Sequence, residues 1–180
     1  KPLSERAYAA LLFAAVLACY GLVLAYPHIQ DDWRTIRYLS TDPGPAAMFR
    51  DLFNPSDKLF FRPLSRLYHV ASYHVFGLHA SGFHALALLW LWAGAWLVSR
   101  VMREFTGDPW IGRAAGLCYV AATSVHMDTM LWEAGINELG GACFVLLSTL
   151  LFMRGRPGVA AASWLIALLF KEAAIFLPAV

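Results

Sequence analysis

The chain has 180 residues, 59% of them hydrophobic and 14% charged, with a net charge of +2 and seven tryptophans. A soluble domain carries about a quarter charged residues, so this composition points to a lipid environment, and the near-neutral balance excludes nucleic-acid binding driven by a basic surface. Cys19, Cys118 and Cys143 each lie inside an apolar run with no Cys-x-x-Cys pair, which reads as buried apolar packing rather than a disulfide framework or a metal site.

The first element is a spanning helix over about 7–27, uncharged and closed by Pro27. Its length matches a hydrocarbon core of roughly 30 Å at about 1.5 Å per residue. A signal-peptide reading, from Lys1, Arg6 and the "VLAC" run, is weaker because further spans follow.

Residues 28–79 form a long loop that opens with "IQDDWRTIRYL". Trp33, Ile36 and Leu39 recur at helical spacing, and Met48, Phe49, Leu52 and Phe53 repeat the pattern after "TDPGP". This predicts short amphipathic helices along a bilayer surface. In "FFRPLSRLYHVASYHVFG", Pro63 suits a first helical turn and Gly77 a helix end, which predicts a helix over 63–76. His69, His74, His79 and His84 recur every five residues, but five residues advance a helix by about 140° beyond a full turn. They share no face and form no His-Glu-x-x-His motif, so they read as packing or interface histidines rather than a zinc site.

Four more spans follow, over about 80–99, 112–130, 137–153 and 158–178, the last containing Lys171 and Glu172. The chain lacks a leading methionine and stops inside an apolar run, so the expectation is one transmembrane domain, 1–180, cut from a longer protein. Lys1 and Arg6, then Arg100, Arg103 and Arg113, then Arg154 and Arg156 fall on one side if the spans alternate, and the hairpin 125–138 has no Lys or Arg. The positive-inside rule places that basic side, with the N-terminus, in the cytoplasm. The expected fold is an all-α, multi-pass transmembrane bundle in the plasma (inner) membrane, its long first loop extracytoplasmic and carrying amphipathic helices. The loop, the hairpin with His126, Asp128, Glu133 and Glu138, and the Lys171–Glu172 pair then share the outer face. Ionisable groups at membrane depth are costly and by default line a cavity or site.

The aspartate pair after the first span, the "FRPL" helix start, the Trp132–Glu133 pair and the "KEAAIFLP" stretch together resemble the integral-membrane glycosyltransferases of the GT-C superfamily, closest to the protein O-mannosyltransferase-like enzymes that use polyprenyl-phosphate sugars. The resemblance implies an N-terminal part of such an enzyme. It implies inverting transfer of a hexosyl or pentosyl group to a protein, lipid or glycan acceptor at the extracytoplasmic face. It also implies an essential first-loop carboxylate, matched here by Asp31 and Asp32, that deprotonates the acceptor or helps hold a divalent cation, Mg²⁺ or Mn²⁺.

The residues present suit that chemistry. An aspartate can take the acceptor's proton, and Arg or Lys can stabilise the departing phosphate. Arg62 and Arg66, i and i+4 on one helix face, and Lys171 are candidates for the donor phosphate, while Trp33, Arg34, His126, Asp128, Glu133, Glu138 and Glu172 are candidates to line the cavity. The plainer reading of Asp31 and Asp32 is capping of the helix that follows. Two other functional classes remain open: a transporter or flippase module, and a non-catalytic membrane scaffold.

Overall fold

The computed structural model describes residues 3–29, 32–41, 44–53 and 61–179, all of its regular structure there being helical. Helix α1 (Glu5–Tyr20) opens where Ser4 Oγ accepts the Ala7 N–H at 3.2 Å, which satisfies one of the donors a helix start leaves unpaired. A 3-10 turn, Gly21–Ala25, continues it to 21 residues, long and apolar enough to cross a bilayer. Tyr8, Leu12, Val16 and Tyr20 recur every fourth position and are buried, while Leu11, Leu17 and Leu22 are exposed. An apolar helix covered on one stripe only is suited to a lipid surround.

In the first loop, α2 (Asp32–Ser40) buries Asp32, Ile36 and Leu39. The expected stripe is shifted by one residue: positions 32, 36 and 39 share a face, and Trp33 stands half-exposed beside it, its indole N–H donating to the His28 carbonyl at 2.9 Å. Helix α3 (Gly44–Phe53) leaves Phe49 exposed. Helix α4 (Pro63–Phe76) has the predicted limits, with proline in its first turn and Gly77 at φ 59° after its last. That positive φ is open to glycine at little cost.

Helix α5 (Ala80–Thr106) is the longest, at 27 residues. It runs past the expected end near 99, so Arg100 and Arg103 lie on its last turns, where both reach Glu5 at 2.9 Å. The stretch expected as one span over 112–130 is two helices, α6 (Pro109–Ala121) and α7 (Thr123–Leu131), divided at Ala122. The break withdraws helix donors from the last carbonyls of α6. Side chains replace them: Tyr20 O–H donates to the Val120 carbonyl at 2.8 Å, and His126 Nε2 meets the Tyr119 carbonyl at 3.0 Å. Small residues seat α6 on α5, since a Cβ at Gly112 would lie 2.6 Å from the Ser99 carbonyl oxygen.

A 3-10 turn, Glu133–Gly135, leads into α8 (Ile136–Met153), and together they are again 21 residues of crossing length. Helix α9 (Pro157–Phe170) is shorter and stops at Lys171, whose backbone is extended (φ −153°, ψ 131°) before a 3-10 stretch over Glu172–Ala179. The expected span 158–178 is therefore not one helix. Among the described residues, three helices are long and apolar enough to cross a membrane, where five spans were expected.

The core joins the buried stripe of α1 to Leu88, Leu91 and Ala95 of α5, with Val120, Met130 and Leu139 closing it. Arg100, Arg103, Arg113 and Arg154 gather at one end of the helices. There Arg100 and Arg103 pair with Glu5, Arg113 donates to the Leu3 carbonyl and Arg154 pairs with Glu104 at 3.0 Å. The loop after α1, the starts of α4, α5 and α8, and the end of α9 form the opposite end.

Candidate functional site

At that opposite end Asp32 does something other than what the capping reading requires. A cap accepts from backbone N–H groups two or three residues ahead in its own helix. Here Asp32 Oδ2 accepts the Ile29 N–H behind it at 3.1 Å, and Oδ1 accepts the Glu133 N–H at 3.2 Å, 101 residues away. The carboxyl group, 2% exposed, ties the first loop to the turn before α8. Asp31 lies outside the described residues.

Glu133 is buried beside it, and Oε1 forms a hydrogen bond with His28 Nδ1. His28 Nε2 faces the Leu78 carbonyl at 3.1 Å. A carbonyl only accepts, so Nε2 carries a hydrogen, and a further proton lies between Nδ1 and Oε1. Whether written as imidazolium and carboxylate or as imidazole and carboxylic acid, the pair is neutral overall. Neutrality is what makes two buried ionisable groups tolerable in an apolar surround. Trp33 and Phe83 set their rings edge-on to His28, at 5.2 and 5.5 Å between centroids.

Helix α4 links this centre to a second one. Tyr68 and Glu133 line one cavity, and His69 hydrogen-bonds the Ser65 carbonyl with Nδ1 at 2.7 Å. Burial lowers the His69 pKa and keeps the ring neutral. Arg62, which starts α4, lies about 10 Å from His69 along the helix and grips Glu172 with two hydrogen bonds, Nε to Oε2 at 2.9 Å and Nη2 to Oε1 at 2.5 Å. That guanidinium holds the Glu172 carboxyl down to about 2. Lys171 pairs with Glu138, and its pKa is lowered by burial and by the nearby Arg62. Gly140 and Gly141 make this possible: a Cβ at Gly140 would meet the Phe170 ring at 2.7 Å, and one at Gly141 would touch Lys171 Cβ at 3.4 Å. The two glycines let the end of α9 lie close against α8.

The structure thus brings together Asp32, Glu133 and Trp33 in one centre and Arg62, Lys171, Glu138 and Glu172 in the other. It does not bring in every predicted residue. His126 sits in the core between Tyr119 and Tyr20, at 4.6 and 6.3 Å between ring centroids, and serves the break at Ala122. Asp128 and Arg34 are exposed, and Arg66 is partly buried one turn after Arg62. Of the four regularly spaced histidines, His69 and His84 are buried and His74 and His79 exposed, and each turns Nδ1 to a backbone carbonyl. His28 escaped the sequence reading. Its only local signal is its place between Pro27 and the aspartates, and its partners Glu133 and Leu78 are distant in the chain.

A divalent cation needs several oxygen ligands free to turn toward it. The Asp32 oxygens are turned to backbone N–H groups and the nearer Glu133 oxygen to His28. Among the described residues no group of three or more His, Cys, Asp or Glu side chains is arranged to hold a metal ion. No protein-family model, curated protein or solved structure matches the chain.

Proposed function

We propose that this chain is a multi-pass membrane glycosyltransferase module of the GT-C type, embedded in the plasma (inner) membrane with its N-terminus cytoplasmic. It moves a sugar from a polyprenyl-phosphate donor to an acceptor at the extracytoplasmic face. The observation that carries the reading is that the end of the helices away from the arginine cluster holds a first-loop carboxylate, Asp32, and, in a second centre, two cationic side chains, Arg62 and Lys171, offered by different elements.

In the reaction the acceptor hydroxyl attacks C1 of the sugar from the face opposite the phosphate. The C1–O bond breaks, its electron pair leaves on the polyprenyl phosphate, and the configuration at C1 inverts. A first-loop aspartate, Asp31 or Asp32, takes the hydroxyl proton, and Arg62 and Lys171 meet the leaving phosphate. Their carboxylate partners do not block this. Glu172 and Glu138 side chains are 53% and 54% exposed, and exposed ion pairs contribute only about 0–1 kcal/mol, so an arriving phosphate displaces them readily.

The test is sugar transfer from a polyprenyl-phosphate donor in membranes carrying Asp31→Asn or Asp32→Asn, with folding checked by circular dichroism. At least one variant loses transfer; full activity in both refutes the assignment. Transfer is measured with and without EDTA in the parent protein. Loss restored by Mg²⁺ or Mn²⁺ would give the aspartates a cation-holding role instead.

The breaks at Ala122 and Lys171 favour a second reading, a transporter or flippase module, because interrupted helices are a device of membrane transport. Proteoliposome flux that disappears in Lys171→Ala, with no transferase activity in the parent protein, would select it.

A further inference from the structure

Two residues that each carry an unpartnered buried polar atom line one small cavity. Glu133 Oε2 and His84 Nε2 have no hydrogen-bond partner among the described residues. Both residues line a cavity walled by Phe83, Met130, Ile136 and Tyr68, with room for about one water molecule. The Glu133 side chain is 1% exposed and His84 likewise 1%. A buried polar group left unsatisfied costs about 1–3 kcal/mol, so two of them on one cavity call for an occupant.

Hydrogen-bonding capacity identifies that occupant. His84 Nδ1 meets the Met130 carbonyl at 3.1 Å, and the Tyr26 carbonyl lies near the ring without a bond of good geometry to Nε2, so Nδ1 carries the hydrogen and Nε2 of the neutral ring is left as an acceptor. Glu133 Oε2 is also an acceptor wherever the proton shared with His28 rests along the Nδ1 to Oε1 bond. Two acceptors cannot satisfy each other. The cavity therefore suits a molecule of water size with two hydrogens to donate.

We propose that this cavity binds a water molecule that donates one hydrogen to Glu133 Oε2 and the other to His84 Nε2. The water joins His28, Glu133 and His84 into one buried chain of hydrogen bonds running from the first loop, through the turn before α8, into α5. The titratable groups that face Glu133 are His28, Asp32 at the start of α2, Tyr68 and His69 of α4, and His84 of α5. Asp32 is held by two backbone N–H groups and His69 by the Ser65 carbonyl, which leaves Oε2 to the cavity that Glu133 lines. This site stands whether or not the chain transfers sugar.

Met130 reports on it, being fully buried on the cavity wall, whereas Met127 is 37% exposed. X-ray radiolysis of the detergent-solubilised chain after rapid mixing into H₂¹⁸O generates hydroxyl radical from whatever water lies next to a side chain. Met130 is expected to oxidise despite its burial, with ¹⁸O entering its sulfoxide more slowly than that of Met127. In His84→Phe the ring fills the cavity and removes the acceptor, so Met130 oxidation falls several-fold while Met127 is unchanged. An unoxidised Met130 in the parent protein overturns the proposal, as does ¹⁸O entry as fast as at Met127 or labelling that persists in His84→Phe. Should that variant not fold, the two parent-protein readouts decide by themselves.

Discussion

Tyr20→Phe keeps the ring and deletes one oxygen, which makes it a clean measure of what the break at Ala122 costs. The hydroxyl is 1% exposed with its residue and donates at 2.8 Å to the Val120 carbonyl. That carbonyl falls in the last turn of α6, where the backbone no longer supplies a donor. Removing the hydroxyl therefore loses a hydrogen bond and strands a buried acceptor. Hydrogen bonds between membrane helices average about 0.6 kcal/mol and reach about 1.7, and a stranded buried group costs about 1–3. Tyr20→Phe should accordingly destabilise by about 1–2 kcal/mol. Tyr8→Phe is the control, because Tyr8 is equally buried and its O–H donates at 3.0 Å to the Arg113 carbonyl. Arg113 lies inside α6, where the helix ladder already supplies a donor, so only the added bond is lost, about 0.5 kcal/mol. Both are read from reversible unfolding in detergent by tryptophan fluorescence and circular dichroism. Equal losses in the two variants, or a larger one for Tyr8→Phe, would refute the account of the break.

Gly112→Ala should destabilise by about 1–3 kcal/mol in the same assay, because the new Cβ falls 2.6 Å from the Ser99 carbonyl oxygen and α6 must back away from α5. Gly158→Ala, with nothing within 4 Å of the added carbon, should be neutral or mildly stabilising. A double-mutant cycle of Arg62→Gln and Glu172→Gln should give a coupling of about 0.2–1 kcal/mol, small because Glu172 is exposed. The carboxyl is held from 4.5 down to about 2, so the coupling is complete above about pH 4.5 and fades as pH falls toward 2. A cycle measured at several pH values that strengthened on acidification would contradict the pairing.

The helices were legible where a local rule decides them. Pro63 and Gly77 bound α4, and the uncharged run after Arg6 defines α1, because caps, breakers and hydropathy act within a few residues. The interruptions were not legible. No proline or glycine marks Ala122 or Lys171; the chain can break there because Tyr20 and His126 supply partners for the carbonyls of α6 and because Gly140 and Gly141 admit the end of α9. Of the site, the charged types at the outer end were visible but not their pairing. Asp32 with the Glu133 backbone, and His28 with Glu133, are contacts across more than a hundred residues, set by how the helices pack.

The shortness of α6 bears on how such a chain enters a bilayer. Its 13 residues rise about 20 Å, less than a hydrocarbon core of roughly 30 Å. A segment that short gains too little from lipid to settle there by itself, and in the fold it forms a hairpin with α5, packed along the face that Gly112 and Gly116 leave bare. A bulky residue at either would hold back integration of the hairpin, and the nascent chain would fail at the insertion machinery before any question of folded stability arose.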